Sequence, residues 1–131
     1  MTEILRERVI TSFDLTPDQR DAAIERNRDI VVTAGAGSGK TRTLVARYAS
    51  LLADGLSPRA VVAVTFTEKA AREMRSRVRQ ALTDLLKQAS TEEERQRWIA
   101  VNSEMDAARI GTIHSLCAEI LRAHPAEAEI D

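Results

Sequence analysis

The chain carries one cysteine, Cys117, which excludes an internal disulfide, and no Cys/His cluster with metal-ligand spacing. Cys117 lies in Ile113-His114-Ser115-Leu116-Cys117, a predicted helix start, and reads as a small core residue rather than a nucleophile. No apolar run approaches the roughly eighteen residues of a membrane span, and no signal-peptide pattern opens the sequence. The chain therefore reads as soluble and cytoplasmic. There is no internal repeat, low-complexity tract or flexible linker. Strong net charge is absent too: 19 Lys and Arg stand against 20 Asp and Glu, so global electrostatics announce no polyanionic partner. Nor is there any Asp-Glu pair, and none of the three predicted strands ends in a carboxylate.

What is present is the material of one globular domain: 131 residues, 44% hydrophobic and 30% charged. Charge is unevenly spread. Lys69 to Lys87 is locally basic, with Arg72, Arg75, Arg77 and Arg79 against Glu73 and Asp84, whereas Glu92-Glu93-Glu94 and the last five residues are acidic. The acidic runs read as solvated helix faces.

The run with most chemistry is Ala34-Gly35-Ala36-Gly37-Ser38-Gly39-Lys40-Thr41. It follows the apolar Ile30-Val31-Val32, predicted as a buried strand over about 29 to 34, and precedes Leu44, Val45, Tyr48, Leu51 and Leu52 on one helix face. This is a phosphate-binding loop in its proper setting. The glycines let successive N–H groups converge on one anion, and the helix adds its positive end. Lys40 would reach the β and γ phosphates and the Thr41 hydroxyl would ligate Mg²⁺. Ala34 stands where the strict pattern has glycine.

Residues 1 to 14 yield no clear assignment. Thr16 is a predicted N-cap with Pro17 at the first helical position, and this helix ends near Asn27-Arg28. The loop's own helix stops at Asp54-Gly55. A second strand is predicted over Ala60 to Thr65, apolar enough to be covered on both faces, then a helix over about 68 to 88 with Ala71, Met74, Val78, Leu82 and Leu85 inward. Thr91-Glu92-Glu93-Glu94 matches a capping box and starts a helix carrying Trp98, Val101 and Met105. Ala108 to Gly111 is a weaker strand, followed by a helix over about 113 to 123. Alternating strands and helices with long crossovers predict an α/β fold with a mostly parallel sheet and helices on both faces. Ligand chemistry in such sheets gathers at the carboxyl ends of the strands, where all three motifs begin.

Three further segments carry a resemblance. Leu15-Thr16-Pro17-Asp18-Gln19 resembles the Q motif of superfamily 1 helicases, which puts Gln19 at an adenine-reading position; an amide can both donate to and accept from the adenine edge. Arg42 matches the arginine that UvrD-like families place beside the nucleotide. Val62 to Met74 is similar to the motif that couples ATP to single-stranded DNA in those families, with Thr65, Phe66, Thr67 and Lys69 as DNA contacts. Hydroxyls and a free helix N-terminus can hold phosphates there, and Phe66 offers a stacking face. Glu68 stands where many relatives carry Asn and is expected to point away from phosphate or cap the helix. Ile110 to Leu116 resembles the next DNA-contacting motif, with Thr112 and His114 reaching the backbone.

The resemblance covers about residues 14 to 130. The stretch at His124-Pro125-Ala126-Glu127-Ala128 and the helical insertion at 83 to 108 favour the AddA/RecB branch. It implies a three-layer P-loop, RecA-like fold, of which residues 1–131 would be an incomplete first motor domain. The parent would be a 3′ to 5′ ATP-dependent helicase acting in recombination or repair, using ATP and Mg²⁺ on single-stranded DNA, and a possible partner of another chain in a helicase-nuclease complex. Because Thr41 has no acidic partner, the chain itself is expected to bind nucleotide weakly without turnover. Two other readings stay open. One is a stand-alone P-loop nucleotide-binding regulatory protein; the other is a non-enzymatic single-stranded DNA-binding module.

Overall fold

The computed structural model describes residues 1–33 and 39–129. In chain order its helices and strands are α1 (Thr2–Phe13), α2 (Pro17–Ile24), α3 (Lys40–Ala53), β1 (Val62–Thr65), α4 (Glu68–Gln88), α5 (Glu92–Ser103), β2 (Arg109–Thr112) and α6 (Ile113–Ala123). Single 3-10 turns lie at Pro58–Ala60 and Met105–Ala107. Among the described residues this is a helix-rich α/β arrangement on a two-stranded parallel sheet. No described helix is long and apolar enough to cross a membrane.

Helix starts follow local chemistry. Threonine hydroxyls accept the orphan N–H groups at four of them: Thr16 from Gln19, Thr67 from Ala70, Thr91 from Glu94 and Thr112 from Ser115. Helix α3 stops where expected, with Asp54 as C-cap and Gly55 at φ 108, a conformation glycine adopts without steric cost. Residues 1 to 14, without assignment from sequence, form α1 and bury Leu5, Val9 and Ile10.

The core lies between α1, α3, α4 and α5. Trp98 is fully enclosed, packed with Leu5 and Val9 of α1, Val45, Tyr48 and Leu52 of α3, and Met74, Val78, Leu82 and Leu85 of α4. The buried residues of α4 are the five that its periodicity points inward. Ile110 brings β2 into the same cluster.

Several expectations need correction. Asp29 to Thr33 form no strand, and Val31 is 90% exposed. A strand is held by a neighbour's backbone groups, and the sheet found among the described residues pairs only β1 with β2. The larger sheet and the three-layer form are accordingly not seen among them. Strand β1 is not covered on both faces: Val62 and Val64 stay exposed, while Ala63, paired with Ile110, faces the core. Cys117 is exposed, because α6 buries no residue among those described.

The acidic run is not a purely solvated face either. Glu94 is 1% exposed and accepts from Arg8 Nε at 2.8 Å and Nη2 at 3.3 Å, which clamps α1 to α5. Nor does it close a capping box, since its Oε2 accepts from the Ser90 N–H instead. The reciprocal box is at α2, where Gln19 Oε1 accepts from the Thr16 N–H at 3.0 Å.

Candidate nucleotide and DNA sites

Helix α3 begins differently from the four threonine-capped helices. Its N-cap is Gly39, at φ 85, with no side-chain cap and no acidic residue in the first turn. The Gly39 carbonyl accepts from the Thr43 N–H at 2.9 Å and from its hydroxyl at 3.0 Å, which anchors the turn from inside. First-turn N–H groups left without a side-chain acceptor, together with the positive end of the helix, suit an anion. Lys40 and Thr41 are exposed beside them. Ala34, Gly35, Ala36, Gly37 and Ser38 lie outside the described residues.

Gln19 is brought to this point. A Cβ built on Gly39 would lie 2.9 Å from Gln19 Nε2, so the amide stands directly over the start of α3. The capping box also orients it: because Oε1 meets the Thr16 N–H, Nε2 is the group turned toward Gly39. Arg42 is exposed and donates from Nη2 to the Asp14 carbonyl at 2.6 Å; Asp14 itself is in the left-handed conformation at φ 50. That leaves most of the Arg42 guanidinium for an outside acceptor.

The residues present suit a nucleoside triphosphate better than a bare metal ion. No group of three or more His, Cys, Asp or Glu side chains could hold a cation among the described residues. A Mg²⁺ ion would have the Thr41 hydroxyl and the phosphates it accompanies.

The second group gathers at the carboxyl ends of the strands. Thr65 and Thr112 are cross-strand partners in the parallel ladder, so the segments following them leave the sheet side by side. Phe66 is 85% exposed, which leaves the faces of its ring open to a stacking partner. Lys69 and His114 are exposed in the first turns of α4 and α6. Glu68 lies in the first turn of α4, where its charge meets the positive helix end.

The threonines act more locally than a phosphate grip requires. Thr65 Oγ1 donates to the Thr67 carbonyl at 3.1 Å, and Thr67 caps α4, so that helix start is not free. Thr112 is 4% exposed and its hydroxyl is shared with the Ser115 N–H and Oγ. Its evident task is to start α6, which places His114 outward. Helix α4 joins the two groups, since it packs against α3 and against both strands.

Sequence reasoning missed Asp14 as the seat of Arg42 and two arginines, Arg26 and Arg47, that bind α2 to α3. Their only sequence signal is that α2 itself offers few apolar positions with which to pack.

The comparisons agree with the motifs. The family model described as UvrD/REP helicase N-terminal domain matches residues 15–131. The AddA subunit of the ATP-dependent helicase/nuclease of Ligilactobacillus salivarius is 41% identical over 110 residues, covering 84% of this chain and 9% of its own. The protein of the same name from Natranaerobius thermophilus is 37% identical over 131 residues, 98% of this chain and 10% of its own. That from Latilactobacillus sakei is 37% identical over 114 residues, 87% of this chain and 13% of its own. The chain thus spans about a tenth of the length of these curated relatives. With an uncapped glycine start to α3, an amide held over it and a family match across almost the whole sequence, the chain belongs to the UvrD/REP helicase family, through its N-terminal domain.

Proposed function

We propose that this chain is the ATP-binding part of a DNA helicase or translocase that works in recombination or repair, moving 3′ to 5′ on single-stranded DNA. The observation that carries the reading is Gln19 Nε2 placed over the uncapped start of α3. It puts an adenine-reading group beside a phosphate cradle. In this reading Lys40 and the first-turn N–H groups neutralise the phosphates, Thr41 holds the accompanying Mg²⁺, and Arg42 reaches the nucleotide from its seat on Asp14. The metal supplies Lewis-acid charge stabilisation when bound.

Phe66 stacks on a base, and Lys69 and His114 meet the sugar-phosphate chain. Thr65, Thr67 and Thr112 shape the edge from which those groups project. A RecA-like three-layer setting belongs to the same proposal, as does assembly with another chain of a helicase-nuclease complex, which the name of the relatives suggests. The same proposal takes the chain as a binding unit without turnover, a reading in which the carboxylates that hold the metal and orient water are not supplied by these residues.

Titration of the 131-residue chain with ATP and Mg²⁺ is the test. Saturable binding that weakens at least about tenfold in Lys40→Ala, without steady phosphate release, is the expected outcome. Sustained hydrolysis abolished by Lys40→Ala would overturn the binding-only reading, and no nucleotide binding at all would overturn the site.

A further inference from the structure

Helix α2 carries Gln19 but has little of its own to hold it in place. It buries one side chain, Ala23. An eight-residue helix with so small an apolar footprint depends on its contact with α3 for its place. Its position is set at its far end by two arginines. Arg47, on α3, donates through Nη1 to the carbonyls of Ala22 at 2.9 Å and Glu25 at 2.8 Å. Arg26 donates through Nη1 to the carbonyls of Ala23 at 3.0 Å and Glu25 at 3.2 Å, through Nε to Asp54 at 2.7 Å, and through Nη2 to the buried Ser50 hydroxyl. These donors take the terminal carbonyls that no further helical turn satisfies.

The arrangement has a cost that simple packing would avoid. Arg47 is half-buried beside a like charge, and burial first, then Arg26, push its pKa down. In return the two helices are held together at both ends: Gln19 against Gly39, and the last carbonyls of α2 against Arg47 and Arg26. A helix of this length is a rod of about 12 Å, so a slip at one end is carried to the other.

We infer that Arg47, assisted by Arg26, is a positioning residue for base recognition: by pinning the C-terminal carbonyls of α2 to α3, it sets where the Gln19 amide stands over the phosphate-binding helix start. The inference rests on the reading of Gln19 as the adenine contact. It separates the site into two parts. Phosphate binding at Lys40 is independent of the clasp, whereas discrimination of the base depends on it.

The experiment compares ATP, GTP and inorganic tripolyphosphate binding by the full chain in wild type, Arg47→Met, Arg47→Lys and Arg26→Gln. Arg47→Met keeps the apolar stem and removes the donors. It is expected to lose roughly tenfold in ATP affinity, about one hydrogen-bonded contact, with the ATP-to-GTP ratio falling toward one and tripolyphosphate affinity within about twofold of wild type. Arg47→Lys restores part of the ratio. Arg26→Gln shifts it in the same direction and carries the test if Arg47→Met does not fold.

As a control, Arg8→Ala breaks the α1–α5 ion pair and lowers thermal stability with the ratio intact. A ratio unchanged in both Arg47→Met and Arg26→Gln would overturn the inference alone, as would parallel loss of ATP and tripolyphosphate. A wild-type chain with no preference for ATP over GTP would overturn the Gln19 reading, and the inference with it, before any variant is made.

Discussion

Thr65 and Thr112 stand opposite each other in the parallel ladder, so Phe66 and His114 emerge from adjacent strand ends although they are far apart in sequence. Thr65 Oγ1 also reaches toward the Gly111 carbonyl at 3.5 Å, across the same pair of strands. One strand of nucleic acid laid over this edge would meet both segments.

Removal of the Phe66 ring should therefore be felt by DNA and not by the fold. Phe66→Ala is expected to weaken single-stranded DNA binding by roughly 1 to 3 kcal/mol, with the thermal midpoint unchanged because the ring is 85% exposed. Lys69→Ala should instead reduce the salt dependence of binding by about one released counterion. Fluorescence titrations at several salt concentrations separate the two.

Gly39→Ala should damage the nucleotide site through Gln19. The left-handed backbone there costs an alanine roughly 1 to 2 kcal/mol, and its Cβ would press on Gln19 Nε2. Since that amide is the movable end of a side chain, it gives way and breaks the capping box at Thr16. The expected result is a modest fall in thermal stability with a larger loss of ATP preference over GTP, read by calorimetry and by competition binding.

Acid should unfold the chain through two carboxylates. Hydrogen bonds from Arg8 hold the Glu94 carboxyl below the ordinary range despite its burial. Burial raises the pKa of Asp54, yet Arg6 and Arg26 outweigh it and hold that carboxyl low as well. Both groups bind protons more tightly in the unfolded chain, so their contribution is complete above the ordinary carboxylate pKa of about 4 and is lost as pH falls below it. Arg8→Ala leaves Glu94 enclosed without its partner, which should cost roughly 1 to 3 kcal/mol at neutral pH and flatten the acid limb. Urea denaturation at a series of pH values measures both effects.

Tyr48→Phe should be neutral or stabilising by up to about 1 kcal/mol. The Tyr48 hydroxyl is buried without a hydrogen-bond partner among the described residues, and burial pushes its pKa up. Deleting it removes an unsatisfied polar group and leaves the ring in the core. A loss beyond about 1 kcal/mol in denaturant unfolding would show that the hydroxyl has a partner.

What sequence alone determined is what depends on neighbours a few residues away. The caps at Thr16 and Thr91 reach only three residues ahead, and the period of α4 selects the five side chains it buries, whereas Thr67 and Thr112, expected to meet phosphate, cap α4 and α6 instead. The phosphate-loop pattern and the order of the motifs are legible for the same reason. Tertiary structure decided what depends on distant partners. Glu94 looks like one more surface acid until Arg8, 86 residues away, fixes it in the interior. Ile30 to Val32 looks like a strand, but a strand exists only where a neighbour takes its hydrogen bonds. The placement of Gln19 over Gly39, and of the segments carrying Phe66 and His114 at adjacent strand ends, likewise comes from helix packing and strand register, which no local run of residues contains.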